Sequence, residues 1–404
     1  MLPEGWNKRS VAEVCRSVSV GVVIKPSQYY VSAREGVKAF RSANVKEGQI
    51  NNSDWVYFSH KGHNENKKSE LKSGDVLVVR TGYPGTACVV SPEYAGCNAI
   101  DIVIARPDIQ KIIPTYLCLF TNSEYGKSQV ANLQGGMAQK HLNVGAYQQV
   151  EIPLPSLPEQ KKIAAILSTW DRAIEGTEKL LANSQQQKKA LMQQLLTGKK
   201  RLPGFTGVWE THRLSDIAKL GTGNTAPQES HYFSESGHDF LRVSDLGSST
   251  GRWAPVSRDK ITLQAIDDHR MSPAPSGATL FTKSGASLLL NQRAQITYDT
   301  YIVGHLGYAK AKKGYCDNYL FYILSEIDFS KIASGTSLPA LKISDLGKTV
   351  LHIPSLSEQQ AIAAVLSTAD AEITVLESDL SRLRQEKKAL MQQLLTGKRR
   401  VTVD

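Results

Sequence analysis

The chain says one thing twice. Residues 155–199 read PSLPEQKKIAAILSTWDRAIEGTEKLLANSQQQKKALMQQLLTGK, and residues 354–398 read PSLSEQQAIAAVLSTADAEITVLESDLSRLRQEKKALMQQLLTGK. The offset is constant, 354 − 155 = 199, and 28 of the 45 positions are identical without a gap. A repeat this long makes the protein two copies of one unit, so the fold must use the same segment twice. Weaker matches extend it. Residues 36–45 pair with 237–246, 73–82 with 276–285, Tyr116 with Tyr319, and Gly136 and Leu142 with Gly335 and Leu341. Each unit is a diverged globular part followed by a nearly constant helix.

The helix signals are complete in both copies. Ser156-x-x-Glu159 and Ser355-x-x-Glu358 read as capping boxes. Gly198 and Gly397 stop the helices, with cations beside the negative helix ends. Between Glu159 and Thr197 lie 197 − 159 + 1 = 39 residues without proline. At 1.5 Å per residue that is a helix of roughly 58 Å. The apolar face repeats in heptads. In the second copy it runs Ile362, Leu366, Ala369, Ile373, Leu376, Leu380, Leu383, Lys387, Leu390, Leu394; in the first, Ile163, Leu167, Trp170, Ile174, Thr177, Leu181, Ser184, Lys188, Leu191, Leu195. This is a coiled-coil seam. Thr177 and Ser184 weaken self-pairing of the first helix and suit a richer partner such as the second. Short joins to the globular parts make antiparallel pairing within one chain the natural solution, and pairing between two chains the alternative.

The globular parts read as strand-rich, with strands at 76–79, 88–90, 100–104 and 288–290 and short helices at 114–122 and 316–325. The expected fold class is α+β: two α+β domains and two long helices in an antiparallel intramolecular coiled coil, with pseudo-two-fold symmetry. The expected boundaries are 1–154 and 202–353 for the domains, and 155–201 and 354–404 for the helical spacers. Two similar domains held apart by a rigid spacer form a ruler. Two-fold DNA readers contact half-sites about 34–36 Å apart, a spacing within reach of such a rod.

A net charge of +10 favours an anionic partner, nucleic acid first. The five cysteines are scattered, with no CxxC pair. That argues against a disulfide framework or a structural zinc site and fits a reducing cytoplasm. No signal peptide opens the chain, and no run approaches the ~20 apolar residues of a membrane span, so no membrane partner is expected. Enzyme signatures are missing: no Asn-Pro-Pro-Phe or Asp-Pro-Pro-Tyr motif and no HExxH. The Gly198-Lys199 pair has Gln193 where a phosphate-binding loop needs glycine. Glu65-Asn-Lys67 matches a nuclease fragment only at chance level, and Gly221-Thr-Gly223 reads as a turn.

DNA contacts call for cationic and amide side chains on loops. The richest stretch is 59–68, offering Lys61, His63, Asn64 and Lys67. Arg80-Thr81 and Lys283-Ser284 recur at one position of both units, which points to a shared backbone role more than to base reading. Gln139 and Lys140 lie beside Gly136, and Asn291, Gln292 and Arg293 are the additions in the second domain. Arg41 and Arg242 also recur, and fit structural salt bridges better. The twin basic clusters 199–201 and 398–400 read as compensation of the helix dipole.

These residues resemble a known family. GMAQKHL at 136–142, VEIPLPSLPEQ at 150–160 and the helix ending LMQQLLTGK are similar to the specificity subunit of type I restriction–modification enzymes. The second copy, 335–341 and LHIPSLSEQ at 351–359, matches slightly less well, and LPEGW at 2–6 and LPGFTGVW at 202–209 resemble the family's domain starts. The resemblance covers essentially the whole chain. It implies two target-recognition domains that read a bipartite, gapped sequence in double-stranded DNA. It also implies two docked copies of an adenine methyltransferase (modification) subunit, joined by ATP-consuming restriction/translocase subunits. S-adenosylmethionine, ATP and Mg belong to those other subunits; no cofactor or metal is expected in this chain, and no catalysis. The alternative reading is a non-catalytic coiled-coil scaffold whose globular domains bind something other than DNA.

Overall fold

The structure, a computed structural model, describes residues 2–133, 141–249, 251–335 and 338–402. The chain divides into two compact units, Met1–Thr177 with Leu380–Asp404, and Glu178–Asp379. Each takes in one globular part and one end of each long helix.

In the first unit the run Val76–Val79 is buried at all four positions and lies inside a four-stranded antiparallel sheet. Its neighbours are Ile102–Pro107 and Ala87–Val89, with Cys15–Val20 beyond Ile102–Pro107. A strand covered on both faces needs a continuous apolar run, and this one has it. A second sheet holds Asn98–Ala99, Gly36–Phe40, Val56–Ser59 and Tyr30–Val31. Asn7–Ser10 pairs with Glu151–Leu154, closing the start of the globular part onto its end. The second unit repeats this plan. Ala218–Thr222, Leu306–Ala311, Thr279–Thr282 and Arg293–Gln295 follow the same strand order. Phe233–Leu241 lies between Asp259–Ile261 and Tyr301–Ile302, and Glu210–Arg213 pairs with Val350–Ile353. Helices Pro114–Asn122 and Asp317–Glu326 pack on the sheets, close to where they were expected.

Two local expectations are corrected. Residues 288–290 are not a strand; Ala286–Leu290 is a 3-10 helix between Gly285 and Asn291, both at positive φ. Only Leu288 is buried, while Leu289 and Leu290 are exposed, so the run lacks a strand's buried face. Gly221-Thr-Gly223 is a strand end rather than a turn. A Cβ on Gly221 would meet the Tyr308 ring at 2.3 Å, and one on Gly223 would meet the Val303 carbonyl oxygen at 2.2 Å. Glycine is required there for close approach.

The long helices are Leu157–Leu195 and Leu356–Leu394, 39 residues each. Pro158 is tolerated because it occupies the first turn, where the missing N–H has no intrahelical acceptor. Every seam position is less than fully exposed in both helices, with Ile163, Leu167, Leu195, Ile362, Leu366, Leu380 and Leu394 buried. Trp170, Ile174, Leu181, Leu191, Ile373, Leu376, Leu383 and Leu390 are half-buried. In the first unit Ile163 and Leu167 share a core with Leu394 and Leu395. In the second, Met192, Leu195 and Leu196 share one with Ile362 and Leu366. The packing is antiparallel. Lys387 pairs with Asp171 in the first unit, and Lys188 with Asp370 in the second. Each pair is the other's copy, since 171 + 199 = 370 and 188 + 199 = 387. A charged pair in a largely apolar seam fixes register, because a slip would strand both charges. Polar Ser184 is satisfied by Glu372 at 2.8 Å.

The Glu-Gln dipeptide near the start of each helix holds other parts of the chain instead of capping the helix. Ser156 Oγ accepts from the Glu159 amide at 3.4 Å, but the Glu159 carboxylate does not reach back to complete a capping box. It is buried and accepts from Arg400 at 2.7 and 3.0 Å and from Trp6 Nε1 at 3.1 Å. Its twin Glu358 accepts from Arg201 at 2.6 and 2.7 Å. Each bidentate pair ties one helix start to the basic tail of the other helix. Arg201 and Arg400 therefore do more than compensate a dipole. The next residue, buried Gln160, accepts from the Ile113 amide and donates to the Lys111 and Pro155 carbonyls, all at 3.0 Å. Gln359 does the same for Cys316 at 3.0 Å and Pro354 at 2.9 Å. The glutamines thus clasp the segments entering the short helices. The cysteines are free and serve the core; burial pushes the Cys15 and Cys88 thiols up to about 12.

Candidate nucleic-acid interface

In each unit the loops leaving one end of the main sheet are tied together into a rim. In the first, the Val22 amide donates to the Ala99 carbonyl at 2.8 Å and the Asp101 amide to the Val22 carbonyl at 3.1 Å. In the second, the Asn224 amide donates to the Ile302 carbonyl at 2.8 Å. The Leu142 amide donates to the Arg80 carbonyl at 2.9 Å, and the Leu341 amide to the Lys283 carbonyl at 2.7 Å. The same backbone bond thus closes both rims.

The two cations differ beyond the backbone. Buried Arg80 donates to the Leu142 carbonyl at 3.0 Å, to Asp101 at 2.5 Å and to His141 Nε2 at 2.6 Å. Arginine only donates, so His141 Nε2 accepts and its Nδ1–H is left for Thr81 Oγ1 at 3.0 Å. The side chain of Lys283 makes no hydrogen bond or ion pair among the described residues. There Ser284 Oγ is bonded to His305 Nδ1 at 2.7 Å. Each rim therefore carries a hydroxyl residue held by a histidine, although the two histidines come from different positions in the unit.

The stretch 59–68 contains the short helix His60–Glu65, capped by Ser59 Oγ on the Gly62 amide at 3.1 Å. Lys61 and Asn64 are exposed. His63 is half-buried and bonded through Nδ1 to Asn98 Oδ1 at 2.5 Å. Lys67 is exposed, and donates to Glu70 at 3.0 Å and His63 at 3.1 Å. Asn98 lies three residues before Asp101, so this helix adjoins the rim. Its counterpart is Leu263–Asp268, capped by Thr262 Oγ1 on the Ala265 amide at 3.2 Å. The offset, 262 − 59 = 203, equals that between Lys283 and Arg80. It carries Lys61 to Gln264 and Lys67 to Arg270, residues that sequence reading missed although the offset was available to find them.

Asn291, Gln292 and Arg293 turn inward. Asn291 donates to Asp328 at 2.8 Å and accepts from the Phe329 amide at 2.9 Å. Gln292 donates to the Gly247 carbonyl at 3.3 Å. Arg293 is buried over the Phe329 ring at 3.5 Å, and burial holds its guanidinium below the usual range. Gln139 and Lys140 lie outside the described residues. Arg41 and Arg242 form the expected salt bridges, to Asp54 at 2.8 Å and to Asp259. Among the described residues no group of three or more His, Cys, Asp or Glu side chains could hold a metal ion, and no helix is long and apolar enough to cross a membrane.

Two copies of one loop-rimmed α+β plan, each bearing its own polar and cationic side chains, define a recognition protein with two reading faces. The model for the type I restriction modification DNA specificity domain matches residues 3–183 and 207–383. The chain belongs to that family. It is 26% identical over 377 residues to the type I restriction enzyme MjaIX specificity subunit of Methanocaldococcus jannaschii, covering 87% of this chain and 85% of the relative. A putative MjaX specificity subunit of the same organism is 24% identical over 430 residues, covering 99% and 95%. Among solved structures, the type I restriction-modification S subunit from M. genitalium overlays with a TM-score of 0.62 at 13% identity, covering 96% of both chains. A chain described under complex assembly and conformational transition of the type I R-M system gives 0.61 at 19% identity, covering 99% and 100%.

Proposed function

We propose that this chain is the DNA-reading, non-catalytic subunit of a type I restriction–modification complex, and that each globular part reads one half of a gapped target. Residues 1–154 and 202–353 act as the two target-recognition domains, and residues 155–201 and 354–404 as the spacer. The observation that carries this is the twin rim: one backbone scaffold, built twice, with different side chains on it. One scaffold gives one mode of approach to the duplex, and different side chains give two different half-sites. Lys61, His63, Asn64, Lys67, Thr81 and Ser284 are the contact residues on these rims. Arg80 acts as a positioning residue, as do Asn291, Gln292 and Arg293. Lys283 faces the DNA as a phosphate-binding cation.

The nearly identical helices offer one surface twice, which suits two copies of one modification subunit. Restriction subunits join through them, in the cytoplasm. S-adenosylmethionine, ATP and Mg serve those subunits. The scaffold alternative leaves the difference between the two rims without a use.

Duplex binding by the complex should be strongly salt-dependent, because phosphate contacts release counterions. Raising salt from 50 to 200 mM should weaken binding by about 10³-fold, read by fluorescence anisotropy. Binding indifferent to salt, or to the sequence of both half-sites, would contradict DNA reading.

A further inference from the structure

Five non-glycine residues are described with left-handed backbone: Lys25 (φ 43°), Asp54 (54°), Asp101 (49°), Arg270 (49°) and Asn291 (50°). That conformation costs an L side chain free energy that glycine avoids. Three of these side chains work inside the fold. Asp54 accepts from Arg41, Asp101 accepts from Arg80, and Asn291 bonds Asp328 and the Phe329 amide. The other two are cations, exposed, and neither makes a side-chain hydrogen bond or ion pair among the described residues.

Both lie on the rims. Arg270 follows the helix Leu263–Asp268, where its amide donates to the Asp267 carbonyl at 3.2 Å and the Met271 amide donates to Ile266 at 2.9 Å. Glycine is the residue that such a helix end ordinarily takes. Two residues on, Ser272 is gripped from both sides by the Asn224 amide group, at 2.9 and 3.0 Å, and Asn224 is the rim residue bonded to Ile302. Lys25 ends the loop whose Val22 bonds Ala99 and Asp101. At the position equivalent to Arg270 the first unit has Lys67, since 270 − 67 = 203. Lys67 is already held by Glu70 and His63, and an unpartnered rim cation of that unit is Lys25.

We propose that Arg270 reads a guanine in the half-site bound by the second unit, and that Lys25 holds a DNA phosphate at the half-site bound by the first. The assignment rests on the DNA-reading function above. The planar guanidinium matches guanine O6 and N7 as a fork, whereas an ammonium is a point charge suited to phosphate. A cation kept where glycine would fit the backbone better, with no protein group to bind, is explained by a ligand group.

The test uses Arg270→Gly and Lys25→Gly in the full chain, assembled with its modification subunit. Glycine relieves the left-handed strain, so both variants should melt at or above the wild-type temperature. Methyladenine mapping gives the wild-type motif, and duplexes carrying it, each base changed in turn, give affinities by anisotropy. Arg270→Gly should lose discrimination at one guanine of the second half-site by about 10- to 100-fold and leave the first half-site unchanged. Lys25→Gly should weaken all sequences evenly and reduce the log–log salt slope by about one. An unchanged motif with Arg270→Gly, or a lowered melting temperature with both half-sites lost together, overturns the assignment to Arg270. An unchanged affinity and slope with Lys25→Gly overturns the assignment to Lys25. A wild-type complex that writes no gapped motif overturns DNA reading itself, and both assignments with it.

Discussion

Replacing Gln160 by alanine should lower the unfolding temperature of the first unit by about 6–12 °C and leave the second unit's transition in place. The side chain is buried and serves one backbone amide and two backbone carbonyls, at 3.0 Å each. Alanine cannot replace any of these bonds, and the backbone groups they serve are part-buried at Ile113 and Lys111 and buried at Pro155. An unsatisfied buried polar group costs roughly 1–3 kcal/mol, so a total of about 3 kcal/mol is expected. For a unit of 150–250 residues each kcal/mol moves the transition by about 2–4 °C. Gln359→Ala should do the same to the second unit on a smaller scale, because it has two such bonds at comparable length. Scanning calorimetry of both variants checks this. Equal shifts of both transitions from either variant would contradict the division of these contacts between two units.

Arg80→Ala and Lys283→Ala should differ sharply, although both remove a cation from the same position. Arg80 holds the Leu142 carbonyl, Asp101 and His141 at once. Its loss leaves Asp101 in the left-handed region without the bond that compensates it, and leaves His141 held by Thr81 alone. About 2–3 kcal/mol of stability should go with it. Recognition of the first half-site should weaken by at least about tenfold, since misplaced contacts lose much of their energy. Lys283→Ala removes no internal side-chain bond, so stability should stay within about 0.5 kcal/mol. The Lys283 variant's effect should be a modest, sequence-independent loss of DNA affinity. Calorimetry with binding to duplexes altered in one half-site at a time separates the cases. Equal destabilisation by the two substitutions would sink this account of the rim.

The long helices were legible because heptad spacing, cap and glycine stop agree over the same residues. The seam needed no tertiary information, since its period alone places Leu167 and Leu366 inward. Less legible was the work of the Glu-Gln dipeptide. Local rules assign Glu159 to a capping box, but Arg400, 241 residues away, offers its carboxylate a bidentate partner instead. No local pattern encodes that choice. The 288–290 run failed for a related reason: three leucines look like a strand until Gly285 and Asn291 turn the backbone at both ends. In the candidate site the repeat located the scaffold, Arg80 with Lys283 and Leu142 with Leu341, but could not say which side chains face outward. Asn291, Gln292 and Arg293 read as a polar surface cluster and are held inside by Asp328, Gly247 and Phe329. Conversely Arg270 was passed over because its neighbours are acidic and apolar; its backbone conformation singles it out.

The most direct test of the central claim is long-read mapping of methyladenine in DNA from cells that carry this chain with its modification subunit, compared with cells lacking only this chain. A two-part motif with an unread gap, present in the first and absent in the second, is the expected result. Its two halves should change one at a time when residues 1–154 or 202–353 are exchanged for those of a relative. Methylation that persists without this chain, or a continuous motif altered throughout by either exchange, would contradict two independent reading units on one spacer.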